Sequence, residues 1–72
     1  MSAPNYNLVF YDDALRRLRG AMTRCEHSLG LRVLIEVWTH YAALLPEERL
    51  FVIANHLTEI TAYENKLARL LK

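Results

Sequence analysis

The segment over residues 31–45, LRVLIEVWTHYAALL, constrains the fold most, because its apolar side chains are not confined to one side of a helix. Its polar residues fall on one narrow strip at 3.6 residues per turn. They are Arg32, Glu36, Thr39 and His40. A helix that is apolar over most of its circumference must be covered on several sides. We therefore predict a buried central helix around which the rest of the chain is wrapped.

The length of the chain limits how this helix can be covered. The chain has 72 residues, which is one domain at most. Chains this short bury a small share of their surface and are marginally stable alone, and the usual remedies are a disulfide, a metal or association. The single cysteine, Cys25, excludes an internal disulfide, and no Cys/His spacing matches a zinc finger. Association is the means that is left, so we predict a homodimer, with a heteromeric partner as the alternative.

Composition argues against several classes of protein. Nine basic residues face eight acidic ones, and a nucleic-acid-binding domain usually has a clear basic excess. The N-terminus lacks the basic and apolar regions of a signal peptide. The central segment carries Glu36 and His40 and is shorter than the roughly 20 residues that a membrane span needs. We expect a soluble, cytoplasmic protein that does not bind membranes.

Turn and cap signals divide the chain into an arm and a helical domain. Residues 1–10 contain Pro4 and no helical period, which predicts an extended N-terminal arm, and residues 11–72 then form a single helical domain. Asp12 suits the N-cap of a first helix over about 12–28, and Pro46 suits the first position of a third helix over about 46–71. Gly30 favours a break before a second helix over about 31–45. One continuous helix from residue 12 to 45 is the alternative.

These segments predict an all-α fold, with two or three helices in an antiparallel hairpin or bundle that homodimerisation completes. The first helix has an apolar stripe that includes Tyr11, Leu15 and Leu18 and reaches Cys25, which we expect to be a buried, inert thiol. The third helix has apolar residues at three-four spacing, as in a coiled-coil seam. The predicted dimer and core residues are Leu34, Trp38, Tyr41, Leu50, Ile53, Leu57, Ile60 and Leu67.

Four polar residues are the best candidates for a metal site. An antiparallel pairing about Pro46 would bring Glu36, His40, His56 and Glu59 close together. Imidazole and carboxylate groups bind divalent metals, but the order His-x-x-Glu is the reverse of the one that di-iron bundles use. The simpler interpretation is a Glu–His hydrogen bond at a polar seam. We therefore predict no bound metal and no cofactor.

The sequence contains no catalytic motif with a sound geometric basis. Cys25 and His27 are two residues apart, so on a helix they point to different sides. A glycine-rich phosphate loop and a serine elbow are both absent from the sequence, and few loop residues are available to build a cleft. We predict that the protein is not an enzyme.

A binding role is the remaining expectation. We predict a small protein–protein interaction module, acting as a helical dimer that regulates, links or inhibits a partner protein. Aromatic and arginine side chains are favoured at such interfaces. The predicted partner-binding residues are Phe10, Tyr11, Arg16, Arg17, Arg19 and Arg24. A helical DNA- or RNA-binding regulator that uses the same arginines is the alternative.

Overall fold

A computed structural model describes residues 8–71, and these residues form helices with short connections between them. Helix α1 is Leu8–Thr23 and helix α2 is His27–Ala42. Helix α3 is Pro46–Val52. It continues through a π-helical turn, Ile53–Leu57, into helix α4, Thr58–Leu70. The backbone stays helical across both junctions, so residues 46–70 form one rod, which we call the third helix. Residues 8–71 contain no strand, which confirms the predicted all-α class.

The core lies where three helices meet. Helix α1 packs along α2, and α4 packs against both. The first helix buries the stripe that its sequence predicts, through Leu15 and Leu18 among others. The buried apolar side chains of the core are Tyr11, Ala14, Leu15 and Leu18 of α1, Val33, Leu34 and Val37 of α2, Leu44, and Val52, Ile60 and Leu67 of the third helix.

Helix α1 begins at Leu8, four residues before the predicted N-cap at Asp12. Residues 8–10 are therefore helical and do not belong to an extended arm, while the rest of the predicted arm, residues 1–7, lies outside the described residues. Phe10 explains part of the difference, because its ring stacks on His40 of α2 at a centroid distance of 4.3 Å. This contact with α2 stabilises a helical backbone at Phe10, where the local sequence does not predict a helix.

The first helix ends earlier than predicted, at Thr23, and the break falls at residues 24–26 rather than at Ser28–Gly30. Cys25 has a φ of 58°, in the left-handed region. The Glu26 N–H donates to the Ala21 carbonyl at 2.8 Å and the Cys25 N–H to the Met22 carbonyl at 3.2 Å. This is the Schellman pattern that usually has glycine at the left-handed position. The thiol of Cys25 is consequently exposed, and its predicted burial is wrong.

Gly30 lies inside α2 and has a packing role instead of ending a helix. It is buried, and a Cβ atom added there would lie 3.1 Å from Cδ1 of Leu67. The glycine therefore permits a close approach of α2 and α4. Helix α2 ends at Ala42, three residues before the predicted end, and Leu45 is extended with a ψ of 154°, as expected before Pro46.

Helix α2 is covered on one side only, which corrects the prediction of a fully buried central helix. Val33 and Val37 are completely buried against α1 and α4. On the opposite side, however, Ile35 is 65% exposed and Leu31 is 40% exposed. Two neighbouring helices can cover about half of a helix, so a single chain of this length leaves an apolar face of α2 open.

The π-helical turn changes which residues of the third helix face the core. A π turn contains one residue more than an α turn, so it rotates the preceding segment by about 100° relative to a regular helix. Val52 and His56 thereby lie in line with Ile60 and Leu67 on the buried side. The predicted core residues Leu50 and Ile53 are instead 64% and 45% exposed.

Among the other predicted core residues, the outcome is mixed. Leu34, Ile60 and Leu67 are buried as predicted. Trp38, Tyr41 and Leu57 are only half-buried. The half-buried aromatic pair lies at the end of α2, where the Trp38 and Tyr41 rings meet edge to face at 5.7 Å.

Candidate functional site

Tyr11 holds the three helices together through two histidines. Its hydroxyl shares a hydrogen bond of 2.9 Å with Nδ1 of His40 on α2. Its ring stacks on His56 of the third helix at a centroid distance of 5.6 Å. Burial raises the pKa of Tyr11 to about 12, and the nearby Tyr41 adds to the effect. Tyr11 is completely buried, so it belongs to the core and not to a surface that a partner can contact.

His56 is the polar residue of this core that sequence reasoning did not place there. Its side chain is 8% exposed, and Nε2 has no hydrogen-bond partner among the described residues. The nearest carboxylate oxygen, Oδ1 of Asp12, lies 3.9 Å away. Val52, His56 and Ile60 follow one another at a spacing of four, which a regular α-helix also places on one face, so this spacing gave no specific signal for the π turn.

Arg19 makes the shortest interhelical ion pair among residues 8–71. Its guanidinium donates to both carboxylate oxygens of Glu59, at 2.6 and 2.9 Å. The Tyr63 hydroxyl donates to the same carboxylate at 3.0 Å. The hydrogen bonds from Arg19 hold the pKa of Glu59 below its usual range. These three residues fasten α1 to α4 at the surface of the bundle.

The other predicted partner-binding arginines are also close to carboxylates. Arg17 donates to Glu36 of α2 at 3.3 Å, and Arg24 donates to Glu26 at 2.8 Å. Arg16, which is more exposed, lies 4.0 Å from Asp13. The arginine face of α1 is therefore largely neutralised by the protein's own acidic groups. This arrangement favours a structural role for these arginines over phosphate binding.

The four candidate metal ligands do not converge. Glu36 is paired with Arg17, Glu59 with Arg19, and the Nδ1 atom of His40 with the Tyr11 hydroxyl. Within residues 8–71, no group of three or more His, Cys, Asp and Glu side chains is arranged to hold a metal ion. The predicted Glu–His hydrogen bond is not formed among these described residues either. Glu36, His40 and Glu59 each bond to a side chain of α1 instead.

Two exposed apolar faces are the most distinctive surfaces of the described chain. The outer α2 face consists of the exposed Leu31, Ile35 and Ala42 together with the half-buried Trp38, which also packs against the core. The outer α3 face consists of Leu50, Phe51 and Ala54, which line a shallow depression beside Glu47. Leu50 is 64% exposed and Phe51 is 46% exposed. Single exposed apolar residues are ordinary, but adjacent ones along a helix are typical of binding surfaces.

The connection between α2 and α3 joins the helices that carry the two faces. Leu45, in that connection, is 59% exposed. The Arg49 guanidinium lies over the Tyr41 ring at 5.5 Å and donates to the Ala42 carbonyl at 2.9 Å. Glu48 accepts from the Leu45 N–H at 2.8 Å and caps the start of α3. These contacts fix the orientation of α3 relative to α2.

Comparisons with protein-family models, with curated proteins and with solved structures find no match to this chain. Its function must therefore be inferred from its own residues. No helix within residues 8–71 is long and apolar enough to cross a lipid bilayer.

Proposed function

We propose that this protein is a small, non-enzymatic protein–protein interaction module that acts as a helical homodimer and regulates, links or inhibits a partner protein. The partner binds the outer α3 face, Leu50, Phe51 and Ala54. The observation that supports this proposal is the exposure of Leu50 and Phe51 side by side on a short helix whose buried side is supplied by Val52.

This proposal moves partner binding away from the residues that the sequence favours. Tyr11 is buried, and Arg17, Arg19 and Arg24 are paired with carboxylates of the same chain. Breaking those ion pairs to bind a partner would cost part of the binding free energy. Leu50 has no such cost, because its side chain is already in contact with water.

The chemistry of the face indicates the kind of partner that it fits. Burying one large apolar side chain is worth about 1.5–3 kcal/mol, so Leu50 and Phe51 would be the main anchors of an interface to which further contacts add. The partner should offer an apolar groove or helix face of matching width. A basic group at its edge would pair with Glu47, which borders the depression.

A capture experiment from host lysate tests the proposal. Wild-type protein should retain a specific protein, and Leu50→Lys should lose it because a lysine cannot enter an apolar groove without a large desolvation cost. Leu70→Lys is the matched control, since Leu70 is 50% exposed on the same helix but about 30 Å away. Retention of the same proteins by wild type and by both variants would contradict the proposal.

A further inference from the structure

We infer that the outer α2 face is the surface on which a second copy of this chain docks, in an antiparallel arrangement. The inference deepens the proposed function, on whose homodimer it rests, by naming the residues of its interface. It starts from spacing: Leu31, Ile35, Trp38 and Ala42 follow one another at intervals of four, three and four. These intervals are those of the d, a, d and a positions of a heptad, along which two helices pack side by side.

The sizes of the four side chains favour a second copy in the antiparallel direction. In a parallel pair each residue would face its own copy, so Ala42 would face Ala42 and leave a gap, while two Trp38 rings would compete for one layer. In an antiparallel pair an a position faces a d position. Ala42 then faces Leu31 of the second copy, and Ile35 faces Trp38. No layer holds two alanines or two tryptophans, so the layers differ less in size than in the parallel pair.

Charge places no obstacle in the way of this pairing. The residues beside the d positions are Arg32 and Thr39, and the antiparallel arrangement places Arg32 of one copy near Thr39 of the other. Like charges therefore do not face each other across the contact. The net charge of each chain is +1, so long-range repulsion between two copies is small.

The size of the face predicts a reversible dimer. Standard interfaces bury about 800 Å² on each partner, which is a sixth of the 4826 Å² that this chain exposes. The face from Leu31 to Ala42 is about 16 Å long and one helix wide, so the area that it can bury is smaller than this standard area. Interfaces below the standard size are weak and transient, so we expect a dissociation constant in the micromolar range.

Sedimentation equilibrium between about 1 and 500 µM, a range that spans such a constant, tests the inference on the full chain. Ile35→Lys and Leu50→Lys form a matched pair, because the two wild-type side chains are 65% and 64% exposed on different faces. Wild type and Leu50→Lys should dimerise alike, whereas Ile35→Lys should weaken the dimer at least tenfold. Circular dichroism checks that both variants are folded, and Leu31→Lys replaces Ile35→Lys if that variant is not.

Trp38 gives a second readout, because it is the one tryptophan of the chain and lies on the proposed contact. Its emission should shift to shorter wavelength as wild type dimerises and should stay unchanged with concentration in Ile35→Lys. The antiparallel direction is tested in a Cys25→Ser background. A mixture of Leu31→Cys and Ala42→Cys chains should form the mixed disulfide in preference to either symmetric one.

Several outcomes would overturn the inference. A wild-type chain that stays monomeric at 500 µM, or an Ile35→Lys variant that dimerises like wild type, contradicts it. Loss of dimer in Leu50→Lys alone would assign the dimer to the outer α3 face instead. The proposed partner binding fails separately, when Leu50→Lys captures the same proteins as wild type, so the two failures are distinguishable.

Discussion

The two halves of the third helix show how far a periodic pattern determines a fold. In α4 the predicted seam residues Ile60 and Leu67 are completely buried, as the three-four spacing requires. In α3 the prediction from the same spacing is wrong, because Leu50 is exposed and Val52 lies in the core instead. The two halves have similar apolar content and differ in their position relative to the π turn at Ile53–Leu57.

The comparison teaches that the π turn acts like a one-residue insertion in a regular helix. Side-chain bonds support it, since Asn55 donates to the Phe51 carbonyl at 2.8 Å and the Thr61 hydroxyl donates to the Leu57 carbonyl. The turn directs Leu50 and Phe51 outward and His56 inward. The π turn thus places a polar residue, His56, in the core, and it exposes the apolar surface that we propose for binding.

The largest effect is expected from deletions in the two halves. Removing Asn55, an exposed residue of the π turn, should convert the turn to α-helix and leave Val52 and Ile60 on the same side. Removing Ala62, an exposed residue of α4, should rotate Leu67 away from the core and unfold the protein, whose net stability is of the order of 3–5 kcal/mol. Thermal unfolding followed by circular dichroism measures both variants. Equal damage from the two deletions would contradict the insertion account.

Alanine substitutions in α3 give the next largest effect. Val52→Ala should lower the free energy of unfolding by about 2 kcal/mol, because it leaves a cavity in the core. Leu50→Ala should change it by less than about 0.5 kcal/mol, although it removes more atoms. Urea denaturation measures the two values. The reverse order would mean that α3 has the register of an uninterrupted α-helix.

Alkaline pH should weaken the contact between α1 and the π turn. Tyr11 keeps its proton up to a pKa of about 12 in the folded protein, whereas an unfolded tyrosine loses it near 10. The unfolded state therefore binds fewer protons than the folded state between these pH values. The free energy of unfolding falls as pH rises, by up to about 3 kcal/mol. Tyr11→Phe should flatten this part of the profile. Since burial also raises the pKa of Tyr63, Tyr63→Phe is the control and should remove a smaller part.

The smallest effect is expected from the ion pair that fastens α4. Arg19→Ala should lower the free energy of unfolding only slightly, and by less at high salt, because the pair is close to solvent. The contribution of Glu59 is present at neutral pH and is lost as pH falls through its lowered pKa. Arg16→Ala is the control. The contact between Arg16 and Asp13 is long, at 4.0 Å, and exposed, so its loss should leave the free energy of unfolding unchanged. A cost for Arg16→Ala equal to that for Arg19→Ala would contradict this assignment.

The sequence determined the all-α class, the buried stripe of α1 and the helix start at Pro46, because each depends on local pattern and proline chemistry. It did not reveal the break at Cys25, since a left-handed residue without glycine has no compositional signal. It also did not show that Arg17 and Arg19 are paired with Glu36 and Glu59, because those pairs join residues 19 and 40 positions apart. Candidate binding residues chosen by type therefore became structural residues once the helices were packed.

Thiol labelling at two positions tests the central claim, that the π turn places Val52 in the core and Leu50 on the surface. In a Cys25→Ser background, Leu50→Cys and Val52→Cys are each treated with a maleimide, and the native rate is compared with the rate in denaturant. We predict that Leu50→Cys reacts at nearly the denatured rate and that Val52→Cys is protected at least a hundredfold, a factor equivalent to about 2.7 kcal/mol. Protection of Leu50→Cys together with rapid labelling of Val52→Cys would contradict the account.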